Sequence, residues 1–170
     1  MTTSTKHGSS LSSVMKRLAN SRMQNKPDHT TICFRQDVPT RTEELHHIRQ
    51  VVEAEALRFG FDEQTAFQLA LAVDEACTNI IKHSYGGDPS QSFEFEISTA
   101  DDSFVISLTD RGKTFNPKGL PQLDMQRYFE QMRRGGLGVH IIHLVMDDVD
   151  YTTATNHSNL LRMIKHLQEE

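Results

Sequence analysis

No stretch of the chain stays apolar for the roughly 18–20 positions a membrane-spanning helix needs, and none has the short apolar core of an export signal. No membrane association is expected. Cysteine is scarce: Cys33 and Cys77 stand alone, without the paired spacing of a metal or redox motif. Reduced thiols and a cytoplasmic location are therefore expected. Positive charge is not in excess either. The formal net charge of −5 argues against a general nucleic-acid-binding surface, so no direct nucleic-acid partner is expected. There is no internal repeat, and the Gly-Lys-Ser/Thr of a P-loop is missing. Hydrophobic residues make up 36% of the 170 positions, low but sufficient for one core at this length.

The charge that is present is unevenly spread. Residues 1–28 hold Lys6, Lys16, Arg17, Arg22 and Lys26 against Asp28, a net of +4 that leaves −9 for the rest. This stretch is Ser/Thr-rich and reads as a flexible basic tail, 1–28, ahead of a single domain, 29–170. Leu11, Val14, Met15 and Leu18 have helical spacing, so a short amphipathic helix that docks a partner is an alternative. A transit peptide has similar composition.

Beyond the tail, "HTTICFRQDV" alternates as a strand does, near 30–37. A helix follows from Pro39 to Gly60, with Thr40 or Thr42 as its N-cap and Leu45, Ile48, Val52 and Leu57 along one face. Asp62 caps a second helix over about 63–84, whose stripe Phe67, Ala70, Val73, Cys77, Ile80 and Ile81 faces a sheet. "SFEFEISTADDSFVISLTD" reads as a hairpin. After a long mixed segment come a helix over "LGVHIIHLVM" and two strands near 148–154 and 159–167. The order β-α-α-β-β-loop-α-β-β predicts an α+β fold: a two-layer sandwich, a mostly antiparallel mixed sheet with helices on one face.

Three places carry candidate chemistry. In "LALAVDEACTNIIKHSYGG" the polar residues Glu75, Asn79 and His83 recur every four positions, flanked by the small Ala72 and Ala76. This is either a solvated face or a surface kept open for a ligand. In "LTDRGKTFNP", Asp110 ends an apolar strand and Gly112 follows. The pair is either an ordinary turn or a carboxylate that accepts from an exocyclic amine while a flat ring lies against bare backbone. In "RRGGLGVHIIHLVM", Gly135, Gly136 and Gly138 open a helix, beside Arg133 and Arg134. They form either a hinge or a phosphate site at the helix amino end.

Taken together and in this order, the three segments resemble the Bergerat-fold (GHKL) ATPases, the histidine-kinase-like ATPase fold. They are more closely similar to the bacterial anti-sigma factor serine/threonine kinases, over about residues 30–167. The resemblance implies ATP and Mg²⁺ as cofactors. It assigns Asn79 to the metal, Glu75 to the general base towards a partner hydroxyl, Asp110 and Gly112 to adenine, and Gly136 and Gly138 to phosphate. It extends nucleotide contact to Phe115, Gly135 and Leu137, and makes residues 116–135 an ATP lid. His83 matches a family position, either supporting a ligand or lying near phosphate. Arg49 aligns by spacing with an arginine that contacts the phosphorylated partner; an exposed helix arginine is the alternative. Departures are Thr114 where many relatives carry a second glycine, Ser158-Asn159 in place of a Gly-Asn turn, and the long tail.

The implied function is a partner-switching kinase. It sequesters a sigma factor, phosphorylates a STAS-domain anti-anti-sigma protein on Ser or Thr, and acts as a homodimer. The alternative is a non-catalytic ATP-binding partner-switch module, disfavoured because Glu75 is present. A sensor histidine kinase core is disfavoured because no dimerising phospho-acceptor helix pair is apparent in the sequence.

Overall fold

The computed structural model describes residues 30–114, 137–155 and 157–168. The tail, the whole lid segment 116–135, Phe115 and Gly136 lie outside the described residues. The elements in chain order are β1 (Thr31–Pro39), α1 (Glu44–Phe59), α2 (Glu63–Asn79), a π-helical turn (Ile80–Ser84), β2 (Ser92–Ala100), β3 (Ser103–Asp110), α3 (Leu137–Val145), β4 (Asp148–Thr153) and β5 (Asn159–His166). The sheet order is β1-β2-β3-β5-β4.

All four strand pairings are antiparallel, so the mixed character expected of the sheet does not occur among the described residues. Connectivity explains this. Two helices between β1 and β2 carry the chain down and back, which reverses the next strand. β4 runs the same way as β3, and β5 inserts between them, antiparallel to both.

Alternation builds the core. Phe93, Phe95 and Ile97 of β2 and Phe104, Ile106 and Leu108 of β3 all face inward and are almost fully buried. They meet Ile48, Val52 and Ala56 of α1 and Leu69, Val73 and Cys77 of α2. Each large apolar side chain so buried contributes about 1.5–3 kcal/mol. Phe59, Phe61 and Phe104 form an aromatic cluster with ring centroids 5.5–5.8 Å apart, pinning the α1–α2 corner to the sheet.

Three local expectations are corrected. Leu57 is 47% exposed, and Ala56 continues the buried α1 face, because steps of three and four from Leu45 through Ile48 and Val52 lead to position 56. Phe67 is 61% exposed, since the buried face of α2 is centred on Leu69, Val73 and Ala76 and turns it outward. Thr40 is no cap: its buried hydroxyl donates to the carbonyls of Asp88 and Gln91, and α1 begins without a side-chain cap. The Cys77 thiol is fully buried, and burial pushes its pKa up, with the nearby Asp74 adding to the shift. It has the character of a core residue rather than a nucleophile.

Asp62 does cap α2, accepting from the Thr65 N–H at 2.7 Å. That bond holds the Asp62 carboxyl below the usual carboxylate range. A folded-state pKa below the unfolded one means the stabilisation is present above the unfolded value, ~3.9, and is lost as pH falls through the folded value. Asp62→Ala should therefore lower the Tm at pH 7, with the gap to wild type closing as the pH is taken below about 4. Thermal unfolding followed by circular dichroism checks this; a gap that persists unchanged in acid contradicts the cap.

Candidate functional site

β3 places Phe104, Ile106 and Leu108 inward, and the same alternation puts Asp110 on that buried face. A carboxylate thus stands where the pattern calls for a hydrophobe. It is only 4% exposed, and burying it without partners would cost several kcal/mol. The partners come from the sheet and from the turn. Asn159, opposite Asp110 in the β3–β5 register, donates from Nδ2 to Asp110 Oδ1 at 3.0 Å and to the Gly112 carbonyl at 3.2 Å. The Gly112 N–H donates to the same Oδ1 at 2.8 Å. Thr153, opposite Asn159 on β4, donates from its hydroxyl to Asn159 Oδ1 at 3.2 Å. Asp110, Asn159 and Thr153 therefore form a polar row across three strands at one end of the apolar sheet. Among the described residues, every hydrogen bond to the Asp110 side chain falls on Oδ1.

Gly112 sits where no side chain fits. A Cβ there would lie 2.4 Å from the Ser84 carbonyl oxygen and 2.6 Å from its carbon. The Lys113 N–H donates to that oxygen at 2.8 Å. Beside it, the Tyr85 hydroxyl accepts from the Arg111 N–H at 2.8 Å and donates to the Ser92 carbonyl at 3.0 Å. The turn after β3 is thus fastened to the end of α2.

That end is a π-helical turn, closed by the Tyr85 N–H on the Ile80 carbonyl at 3.1 Å. The wider turn breaks the four-residue line running from Glu75 and Asn79. His83 is exposed and does not border the cavity beside them. Turns of this kind are frequent at functional sites.

A cavity of about 200 Å³ opens over the polar row. Ala76, Asn79, Ile80 and Ser84 line it from the α2 side, Asp110 and Leu161 from the sheet, Val139, Ile142 and His143 from α3, and Val149, Asp150 and Tyr151 from β4. Its walls are largely apolar, with Asp110 and Asn79 among the polar residues that line it. Such a volume with few polar groups suits a flat heterocycle. The Asn79 side chain makes no hydrogen bond among the described residues, so its amide oxygen is available to a cation. Mg²⁺ takes one or two protein ligands and fills its shell from phosphate and water, and a single amide fits that demand. Among the described residues there is no cluster of three or more His, Cys, Asp or Glu able to hold a metal by themselves.

Glu75 lies one turn before Asn79 and is half-buried, its carboxylate against Gly138 in the first turn of α3. Ala72 and Ala76 are buried rather than forming an open floor, although Ala76 borders the cavity. Asp74, the residue before Glu75, has a buried Oδ1 without a hydrogen-bond partner. Arg49 Nη1 of α1 lies 3.5 Å from it, an ion pair that lacks hydrogen-bond geometry. Arg49 is thus tied across to α2 rather than free.

The structure brings Asn79 and Asp110 to one cavity, with Gly112 bonded to Asp110 behind it and Glu75 and Gly138 against each other nearby; His83 does not line it. Sequence reasoning missed Asn159, Thr153, Tyr85 and Tyr151. Ser158-Asn159 stood out only as a departure from a turn pattern, because its role depends on strand register.

Asn159→Ala should lower the unfolding free energy by about 2–3 kcal/mol, since it strips a buried carboxylate of a donor. Urea unfolding checks this, and wild-type stability would contradict the row. Gly112→Ala should be more damaging, because the atoms in its way are main chain.

A family model, the histidine kinase-like ATPase domain, matches residues 38–165. The serine-protein kinase RsbW of Bacillus subtilis (strain 168) is 29% identical over 154 residues, covering 87% of this chain and 91% of that protein. The RsbW of Oceanobacillus iheyensis is 28% identical over 137 residues, covering 78% and 85%. Among solved structures, a chain of the SiaB-SiaC complex from Pseudomonas aeruginosa superposes with a TM-score of 0.60 at 17% identity, over 91% of this chain and 98% of that one. A Mycobacterium tuberculosis protein with RsbU and RsbW domains gives 0.58 at 13% identity, over 86% and 34%. These two share the fold. With a buried Asp110 row, Asn79 in the cavity lining and a family model spanning most of the chain, this protein belongs to the histidine kinase-like ATPase domain family.

Proposed function

We propose that this chain is an ATP- and Mg²⁺-dependent serine/threonine protein kinase that works by partner switching. It phosphorylates a STAS-domain anti-anti-sigma protein and sequesters a sigma factor when that protein is modified. The homodimer and the cytoplasmic location belong to the same proposal. Kinship with serine-protein kinases over most of the chain supports the enzyme class. Among the described residues no helix is long and apolar enough to cross a membrane.

The observation that carries the reading is the Asp110 carboxylate, fixed through Oδ1 by Asn159 and Gly112 in the lining of an apolar cavity. Asp110 Oδ2 would accept from the exocyclic amine of adenine, with Tyr151 and Leu161 against the ring. The amino end of α3, at Leu137, would meet the phosphates. Gly135, Gly136 and Phe115 join the proposal on the sequence resemblance alone. Asn79 would hold Mg²⁺ through its amide oxygen, and the ion would offset phosphate charge. Glu75, one helical turn away, would take the proton from the partner hydroxyl as its oxygen attacks the γ-phosphorus and the bond to the β-phosphate oxygen breaks. His83, exposed and outside the cavity lining, joins the proposal on the sequence resemblance alone. Arg49 would present its half-exposed guanidinium to the partner from beside Asp74.

Incubation with labelled ATP, Mg²⁺ and purified STAS-domain proteins of the same organism tests the reading. Label should appear on a partner Ser or Thr. Glu75→Gln should cut transfer by about 10²–10⁴-fold while ATP affinity is kept. Asp110→Asn should weaken ATP binding about 10–100-fold, read by titration calorimetry. ATP binding without transfer to any candidate would support the non-catalytic module instead, and unchanged affinity in Asp110→Asn would overturn the nucleotide site.

A further inference from the structure

Gly138 is the second residue of α3 and is buried. A Cβ built on it would stand 2.4 Å from Glu75 Oε2, 3.2 Å from Glu75 Cδ and 3.3 Å from Glu75 Cβ. All three nearest atoms belong to one side chain. Glu75 therefore lies lengthwise along the bare Cα of Gly138, where α2 and α3 pack together. We propose that Gly138 is a positioning residue for Glu75: its missing side chain is the seat that fixes the carboxylate, and this is its part in phosphoryl transfer rather than contact with phosphate. The inference rests on the reading of Glu75 as general base.

The physical case has three parts. A glutamate on a solvated helix face samples many rotamers, and a base must hold one geometry to within a fraction of an ångström. Packing against a glycine removes that freedom without a hydrogen bond that would compete for the proton. The seat also lies in the first turn of α3, the end of a helix whose dipole favours a negative side chain. Finally, the two close-packed glycines differ in what surrounds them. Gly112 is hemmed in by the Ser84 main chain, which cannot yield. The nearest atom to Gly138 is the far end of a flexible side chain. Alanine at 138 can therefore be accommodated by moving the Glu75 carboxylate, leaving the fold intact and the base misplaced.

The test uses the full chain with four variants, Gly138→Ala, Glu75→Ala, Glu75→Gln and the double Gly138→Ala/Glu75→Ala. ATP affinity is read by calorimetry, Tm by thermal unfolding, and transfer from labelled ATP to the STAS protein at saturating ATP. Gly138→Ala should keep the ATP Kd within about threefold and slow transfer at saturating ATP by at least about tenfold, as expected for a group misplaced by about 1 Å. Its effect on Tm should vanish in the Glu75→Ala background, because the obstructing side chain is gone. A loss of ATP affinity as large as the loss of transfer would overturn the proposal, because the glycine would then be serving the phosphates. Wild-type transfer in Gly138→Ala would overturn it as well. If Glu75→Gln transfers like wild type, the base reading fails on its own. The Tm cycle then still decides the seat: non-additive effects uphold it and additive effects overturn it.

Discussion

A carboxylate on the buried face of a β-strand is the constraint from which the rest of the site follows. The inward positions of β3 run Phe104, Ile106, Leu108, Asp110, and the last must be satisfied where water hardly reaches. Asn159 meets it across the β3–β5 pair, and Thr153 in turn orients Asn159 from β4. The Gly112 N–H completes the set on the same oxygen, and this is possible only because the turn lies flat against Ser84. Ser84 belongs to the π-helical turn that ends α2, and Tyr85 fastens that turn to Arg111 and Ser92. One buried carboxylate thereby couples the sheet end to the helix that carries Glu75 and Asn79.

Helix α2 serves two sides at once. Its apolar face, centred on Leu69, Val73 and Ala76, is held by the sheet. Its flank bearing Glu75 and Asn79 looks towards α3 and the cavity. Between these functions sits Asp74, drawn to Arg49 of α1 without a full hydrogen bond. A buried oxygen so weakly compensated is costly in a low-dielectric setting, which makes the α1–α2 contact sensitive to charge changes at either residue. The polar groups of the site thus stand on rigid elements, the arrangement that holds reacting groups in register best.

Much of this was legible in the sequence, for identifiable reasons. Strands were visible because Phe93, Phe95, Ile97 and Phe104, Ile106, Leu108 alternate with polar residues, and such alternation has one physical meaning when one face is buried. Asp110 and Gly112 were visible as a pair because their relation is local. Asn159 was not, because it meets Asp110 only through strand register, 49 residues downstream. Leu57 and Phe67 were placed inward because hydrophobicity alone favours them. The smaller Ala56 and Ala66 occupy the packed face because the helices lie close to their neighbours. His83 continued a four-residue line on paper, and a wider helical turn sent it outward. Gly138 read as one of three glycines opening a helix beside phosphate, and its contact with Glu75 depends on how α2 and α3 pack, which the sequence does not display.

The central claim is that Asp110, held through one oxygen, reads the exocyclic amine of adenine with the other. Comparing the affinities of ATP and inosine triphosphate tests it most directly, because inosine carries a carbonyl where adenine carries the amine. A carboxylate facing that carbonyl loses a hydrogen bond and gains a repulsion, so ATP should bind at least about tenfold more tightly at equal Mg²⁺. Equal affinities for the two nucleotides would contradict the account.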